Sequence, residues 1–186
     1  TEARKLTVER DVPLNAIYKA YHACSRYDKE YHVVDLISDV LSRGNSSRLY
    51  KALVKDKKLF SDISAYVTGE MDKGLFVISG KLAKGVKMED AEEAIGEQIE
   101  QLKNKTVTDE ELTKVKNKAE ATLTFSEMEV LNKAMNLAIS ELLGGADLIN
   151  EEVNKYSRVT AEQIKEQANL ILNESNCSTL YYLSKN

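Results

Sequence analysis

The chain has 186 residues, of which 42% are hydrophobic and 30% are charged, as in ordinary globular proteins. One domain usually has this length, so we expect residues 1–186 to form a single domain. The formal net charge is −4, and the 26 basic residues are interspersed among 30 acidic ones, which argues against nucleic acid as a partner. No apolar run approaches the ~20 residues that cross a bilayer, so we expect a soluble chain without a transmembrane segment.

Strand patterns occur near both ends of the chain and in one hairpin. Apolar and β-branched side chains alternate or run together over residues 5–9, 14–23 and 177–183. Two further alternating segments flank the glycine-bounded loop 69–74, which predicts a β-hairpin. Cys24 directly follows the second of these strand patterns and Cys177 begins the last, and we expect two buried thiols, with a disulfide as the alternative.

Helical spacing occurs after the second strand and dominates from Met88 onward. Apolar residues recur every three or four positions over residues 31–41, 49–53, 88–102, 112–123, 128–142, 149–156 and 164–171. Each amphipathic helix must bury its apolar stripe, and a sheet with one apolar face is the natural surface for it. We therefore predict an α+β fold, a two-layer α/β sandwich with one mainly antiparallel sheet covered by helices.

Polar residues at the start of several segments predict where the helices begin. Two Thr-x-x-Glu/Gln pairs have the spacing of a capping box, Thr108 with Glu111 and Thr160 with Gln163. Single polar residues that can cap three further helices are Asp28, Asn45 or Ser46, and Asp147. Glycines, at Gly44 and at Gly144 with Gly145, are expected to end two of the helices.

The sequence lacks the side chains that a hydrolytic metal site needs. A zinc hydrolase uses about three protein ligands, often from H-E-x-x-H or H-x-x-E-H on one helix, and neither string occurs. The two histidines, His22 and His32, fall in a strand and a helix, so we expect both to be structural or surface residues. Phosphate-binding glycine motifs are also absent. We therefore predict no catalytic and no metal-ligating residue in this chain.

Three features together resemble a known family of peptidases. They are the Ser-Ser-Arg-Leu-Tyr run that ends at Tyr50, the hairpin that follows it, and the helix that opens as Thr-Asp-Glu-Glu-Leu at Thr108. These features are similar to the carboxy-terminal, non-catalytic domain of the pitrilysin, or insulinase, family of zinc metallopeptidases, particularly the processing-peptidase type. The likeness runs over nearly the whole chain, from the first strands to the last.

The resemblance implies that the chain is the excised carboxy-terminal half of a longer peptidase subunit. In the family, an H-x-x-E-H helix and a distal Glu bind zinc in the amino-terminal domain, so this fragment is expected to hold no cofactor and to be inactive alone. The implied partners are its own amino-terminal catalytic domain, a homo- or hetero-dimer partner subunit, and unfolded peptide held in a chamber. The bacterial periplasm or cytoplasm is the expected compartment.

Some family members use an Arg and a Tyr in this domain to hold substrate across the chamber. The corresponding positions are Val54 and Ser61, which lack the needed groups, so the substrate-binding residues stay unknown and Arg48 is expected to be a structural surface residue. This departure fits the companion domain of a zinc-bearing subunit. The alternative is a structural domain of the same fold, as in core subunits of respiratory complexes, with no peptidase activity in the parent.

Overall fold

The computed structural model describes residues 2–185, in which five strands and six α-helices are arranged in two layers. The strands are β1 (Arg4–Arg10), β2 (Ala16–His22), β3 (Phe60–Val67), β4 (Leu75–Leu82) and β5 (Cys177–Ser184). The helices are α1 (Tyr31–Ser42), α2 (Met88–Asn104), α3 (Asp109–Ser126), α4 (Val130–Leu142), α5 (Glu152–Ser157) and α6 (Ala161–Ile171). A π-helical turn (Tyr50–Asp56) follows α1, and 3₁₀ turns (Ala146–Glu151 and Glu174–Asn176) precede α5 and β5.

The five strands form one sheet in the order β1-β5-β2-β4-β3. Three neighbouring pairs are antiparallel, and only β1 with β5 is parallel, so the predicted mainly antiparallel sheet is confirmed. The predicted hairpin is formed by β3 and β4, in which Ala65 lies opposite Ile78. The first and last segments of the chain therefore meet at one edge of the sheet.

The hydrophobic core lies between the sheet and the helices. Alternate strand residues such as Ile17 on β2 and Ile78 on β4 are fully buried, and they meet buried side chains of the helices. Leu36 of α1, Ile95 of α2 and Ile164 of α6 are also fully buried. Since burying one such side chain stabilises a protein by about 1.5–3 kcal/mol, these stripes hold the helices on the sheet and confirm the two-layer fold.

The two predicted capping boxes are confirmed. The amide of Glu111 donates to Thr108 Oγ1 at 3.2 Å, and the amide of Gln163 donates to Thr160 Oγ1 at 3.2 Å. In both helices the third residue also returns a side-chain hydrogen bond to the amide of the threonine. These helices therefore begin where the sequence predicted.

The three single-residue caps were predicted wrongly. The Asp28 carboxylate accepts the Ser25 amide at 2.8 Å, so it closes the turn before α1, and Glu30 occupies the cap position without a side-chain bond. Asp147 lies inside a 3₁₀ turn, and the π-helical turn follows Leu49 without a cap from Asn45 or Ser46. An Asp or Ser near a helix start can satisfy other amides instead, and tertiary contacts decide which.

Helix α4 contradicts the expectation that every amphipathic helix buries its apolar stripe. Leu131, Met135 and Leu142 are 71%, 54% and 66% exposed, whereas Ser140 is its one buried residue. Met128, which was assigned to this helix from its spacing, lies in the turn before it. No helix of the described residues, α4 included, is long and apolar enough to span a membrane.

Candidate functional site

One face of the sheet packs on helices, and the other face is open. On β2, for example, Ile17 and Tyr21 point to the core, whereas Tyr18 between them is 40% exposed. On β3, Tyr66 is 47% exposed, and on β1, Leu6 is 60% exposed. We call this surface the open sheet face.

The open sheet face is ordered by strand register into rows that cross all five strands. From β1 to β3, the rows are Arg4, Ser178, Ala20, Val77, Tyr66; then Leu6, Leu180, Tyr18, Ser79, Ser64; then Val8, Tyr182, Ala16, Lys81, Asp62. In the middle row the hydroxyls of Ser64 and Ser79 lie 3.0 Å apart. The face is therefore mainly apolar, with hydroxyl groups distributed across it.

This composition suits the binding of a polypeptide better than the catalysis of a reaction on it. Tyrosine presents a large apolar ring together with a hydroxyl that can donate or accept, which is why it is common at protein interfaces. The charged side chains of the three rows are Arg4, Lys81 and Asp62, and the last two lie opposite each other. The face can thus hold apolar and backbone groups, but it offers no nucleophile with a base beside it.

The positions expected to replace the family Arg and Tyr lie away from the middle of this face. Val54 lies in the π-helical turn and packs half-buried against the hydrophobic core. Ser61 is exposed on the edge strand β3, and its hydroxyl donates to the carbonyl of Lys81 at 3.2 Å. Neither residue therefore presents a cationic or phenolic group.

Arg48 joins the π-helical turn region to the first turn of α3. Its Nε donates to Glu111 Oε1 at 2.8 Å and its Nη2 to Glu111 Oε2 at 2.9 Å, a two-bond geometry that a planar guanidinium favours. These hydrogen bonds outweigh the effect of burial and hold the pKa of the Glu111 carboxyl at about 2. Arg48 is thus a structural residue.

Replacing Arg48 by Ala is expected to lower the free energy of unfolding by about 1–2 kcal/mol, since a paired, partly buried charge is removed. Arg48→Lys should recover only part of this loss, because an ammonium cannot make both bonds. Urea unfolding followed by circular dichroism measures both. Lys51→Ala, at an exposed position of the same turn, is the matched control and should change stability by less than about 0.5 kcal/mol. Equal losses in Arg48→Ala and Lys51→Ala would contradict the assignment.

The two histidines lie on different elements and in different environments. His32 is buried at the start of α1, and its Nε2 lies 2.9 Å from Glu152 Oε2 on α5. Beside it, the hydroxyl of Tyr156 donates to Asp35 Oδ2 at 2.6 Å. His22 ends β2 with an exposed side chain. The His32 cluster ties α5 to α1 across 120 residues of sequence, and no local pattern could have indicated it.

The described residues do not fit a metal site. Among residues 2–185, no group of three or more His, Cys, Asp or Glu side chains is placed to hold a metal ion. Cys24 is half-buried and Cys177 is buried, and both are free thiols. Burial raises the pKa of the Cys24 thiol, which disfavours the thiolate that metal binding or nucleophilic attack requires.

Comparison with protein families decides the relationship. The profile described as the peptidase M16 inactive domain matches residues 1–119, which is more than half of the chain. The chain belongs to the peptidase M16 inactive-domain family. The predicted resemblance to the non-catalytic domain of a zinc metallopeptidase family is thereby confirmed. A relative from Bacillus subtilis (strain 168), "Uncharacterized zinc protease YmxG", is 25% identical over 149 residues, which are 80% of this chain and 36% of that protein.

Solved structures share the fold of this M16 inactive domain. A protease from Helicobacter pylori superimposes with a TM-score of 0.92 and 21% identity, over 98% of this chain and 44% of that one. A chain of complex III from Candida albicans has a TM-score of 0.80 and 14% identity, over 97% of this chain and 45% of that one. The M16 inactive domain thus spans less than half of the length of these relatives.

Proposed function

We propose that this M16 inactive domain is the non-catalytic half of a zinc-dependent metalloendopeptidase. In this role it forms part of the wall of a peptide-enclosing chamber and contributes to a subunit interface. The observation that carries the proposal is the open sheet face, a broad surface that bears exposed Tyr18 and Tyr66 and lacks a catalytic or metal-binding cluster. Zinc and the hydrolytic groups then belong to an amino-terminal domain of the parent protein.

The open sheet face can bind unfolded peptide without selecting one sequence. An extended peptide exposes backbone donors and acceptors together with side chains of every kind. The hydroxyls of tyrosine and serine can pair with that backbone, and the apolar groups of Leu6, Leu180 and Tyr18 form a row that can cover apolar side chains. The side chain of Val54 cannot form a hydrogen bond, and the hydroxyl of Ser61 already donates to the Lys81 carbonyl on the neighbouring strand. Contacts that stabilise the transition state must therefore come from other parts of the parent.

The function can be tested with the chain alone and with its parent protein, assembled with any partner subunit it requires. The isolated chain is expected to retain no stoichiometric zinc after dialysis and to cleave no unfolded peptide, because no group of three or more His, Cys, Asp or Glu side chains within residues 2–185 is placed to hold a metal ion. The assembled parent is expected to bind one zinc per catalytic subunit and to cleave such peptides. Metal content by mass spectrometry and cleavage of a fluorogenic peptide library are the measurements. Tight zinc binding with proteolysis by the isolated chain would contradict the proposal.

A single substitution tests whether the open sheet face binds peptide. Tyr18→Ala in the parent is expected to raise KM for unfolded peptides by about tenfold, since an aromatic contact at an interface is worth about 1–2 kcal/mol. Zinc content should not change. Leu170→Ala, at an exposed apolar position on α6 away from this face, is the control. Equal KM values for Tyr18→Ala and the unchanged protein would show that this face does not bind the peptide.

A second candidate function is a structural subunit domain without peptidase activity in the parent. The similarity in fold to a chain of complex III from Candida albicans favours it. The two candidates differ in the amino-terminal part of the parent. An H-x-x-E-H helix there supports the peptidase. A parent that lacks this motif, binds no zinc and cleaves no peptide supports the structural role.

A further inference from the structure

Helix α4 packs on the domain in an inverted orientation. Its polar side turns inward, where Ser140 is buried and Asn136 donates to Ser126 Oγ at 3.2 Å. Most of its large apolar side chains turn outward, with Leu131 71% and Leu142 66% exposed, while Ile139 is half-buried. An amphipathic helix normally gains its stability by burying the apolar stripe, so this orientation is favourable only if something covers the outward side.

Exposed apolar side chains just before α4 add to those on its outward side. We call the α4 apolar face the set Phe125, Met128, Val130, Leu131, Met135 and Leu142, each more than half exposed. Seven of the thirteen large apolar side chains exposed among the described residues fall within positions 125–142. They are therefore a patch and not scattered residues, and a patch of this kind marks an interaction surface.

We propose that the α4 apolar face is the contact surface between two copies of this chain, packed antiparallel about a twofold axis. Ala134 and Ala138 lie one turn apart on the exposed side of α4, and their small side chains allow two helices to approach closely. With Ala134 of one copy against Ala138 of the other, Val130 and Leu131 of each copy lie next to Leu142 of the other. The same patch serves both copies, as twofold symmetry requires.

The charges beside this surface support antiparallel self-association. Lys133 and Glu141 are the two charged residues of α4, and both are exposed. They lie eight residues apart, about 12 Å along the helix. In the antiparallel arrangement each Lys133 comes near Glu141 of the other copy, whereas a parallel arrangement would bring like charges together. One Glu141 oxygen already accepts the Ala146 amide at 2.8 Å, which leaves the other oxygen for the partner.

This inference concerns the helical side of the domain and does not depend on the function proposed for the open sheet face. A chain that dimerises through α4 can line a chamber with its other face or serve only as a structural domain. Two other occupants of the α4 apolar face are the remaining half of the parent protein and a bound peptide. A chain that stays monomeric at 300 µM would point to one of them.

Sedimentation equilibrium of the intact chain from about 1 to 300 µM tests the proposal. The unchanged chain is expected to pass from monomer to dimer in this range. Leu131→Glu should weaken the dimer at least about tenfold, because it places a charge in a desolvated contact. Leu170→Glu, at a 67% exposed leucine on α6, is the matched control and should leave the dimer intact.

Charge reversal identifies the antiparallel arrangement. Lys133→Glu and Glu141→Lys should each weaken the dimer about fivefold, and the double variant should restore most of the loss, because both symmetric ion pairs re-form with opposite sign. Circular dichroism confirms that each variant is folded. A chain that stays monomeric at 300 µM, a dimer that tolerates Leu131→Glu, or single reversals that are not rescued in the double variant would each overturn the proposal.

Discussion

Replacing Gly80 by Ala is expected to lower the free energy of unfolding by about 2 kcal/mol, and Gly80→Val by about 3 kcal/mol or more. Gly80 lies on β4 and faces the core, where an added Cβ would come within 2.7 Å of Cδ1 and Cε1 of the Phe60 ring. Ile63 Cγ1 would lie 3.3 Å away. Phe60 is 2% exposed and its ring is held by other core side chains, so the strand or the ring must shift.

Gly96→Ala is the control for this substitution and should act in the opposite direction. Gly96 lies inside α2, and a Cβ there would meet no atom within 4 Å. Because Ala favours a helix interior over Gly, we expect a stabilisation of about 0.5–1 kcal/mol. Thermal and urea unfolding measure both variants. Phe60→Leu combined with Gly80→Ala should recover part of the loss, and strictly additive effects would show that the predicted clash is not the cause.

The second large effect is expected at Glu152, whose carboxylate pairs with buried His32. Glu152→Ala should lower the free energy of unfolding by about 2–3 kcal/mol at neutral pH, because it leaves the His32 Nε2 without its partner. Lys155 also donates to this carboxylate, at 2.8 Å. Glu151→Ala, at the exposed neighbouring residue, is the matched control and should cost less than about 0.5 kcal/mol. Similar losses at the two positions would contradict this account.

The Glu152 contribution should depend on pH with a defined sign. Burial disfavours the Glu152 carboxylate, but hydrogen bonds from His32 and Lys155 outweigh this effect and lower its pKa from 4.5 to about 2. A lowered pKa in the folded state gives stability that is fully present above about pH 4.5 and is lost as the pH falls toward 2. The difference between the unchanged chain and Glu152→Ala should therefore shrink between pH 5 and pH 3 in urea titrations. If the difference in stability between the two proteins stays constant over this range, the ionised Glu152 carboxylate is not its source.

Much of the fold could be predicted because it depends on local patterns. The hairpin of β3 and β4 follows from two alternating segments around a glycine-bounded loop, and the capping boxes at Thr108 and Thr160 need only residues three positions apart. The caps at Asp28 and Asp147 were predicted wrongly because a polar side chain near a helix start has several amides within reach. Only the folded backbone selects among them.

The candidate site was less predictable, because its parts come from distant segments. Periodicity indicates that Tyr18 and Ile17 lie on opposite faces of β2, but it does not indicate which other strands continue the row. The row from Leu6 to Ser64 exists only because the last strand is placed between the first two. The pairing of His32 with Glu152 likewise joins residues 120 positions apart.

Residue patterns along the chain show which segments form strands and helices, and they show that no imidazole pair has metal-binding spacing, since both follow from the order of residue types over a few turns. Which faces of these elements are covered follows from tertiary packing. The apolar stripe of α4 has the same spacing as the buried stripe of α2, yet it faces outward around Leu131. A pattern of side chains fixes the direction of a helix face relative to its own axis, whereas burial depends on the neighbours that packing places beside it.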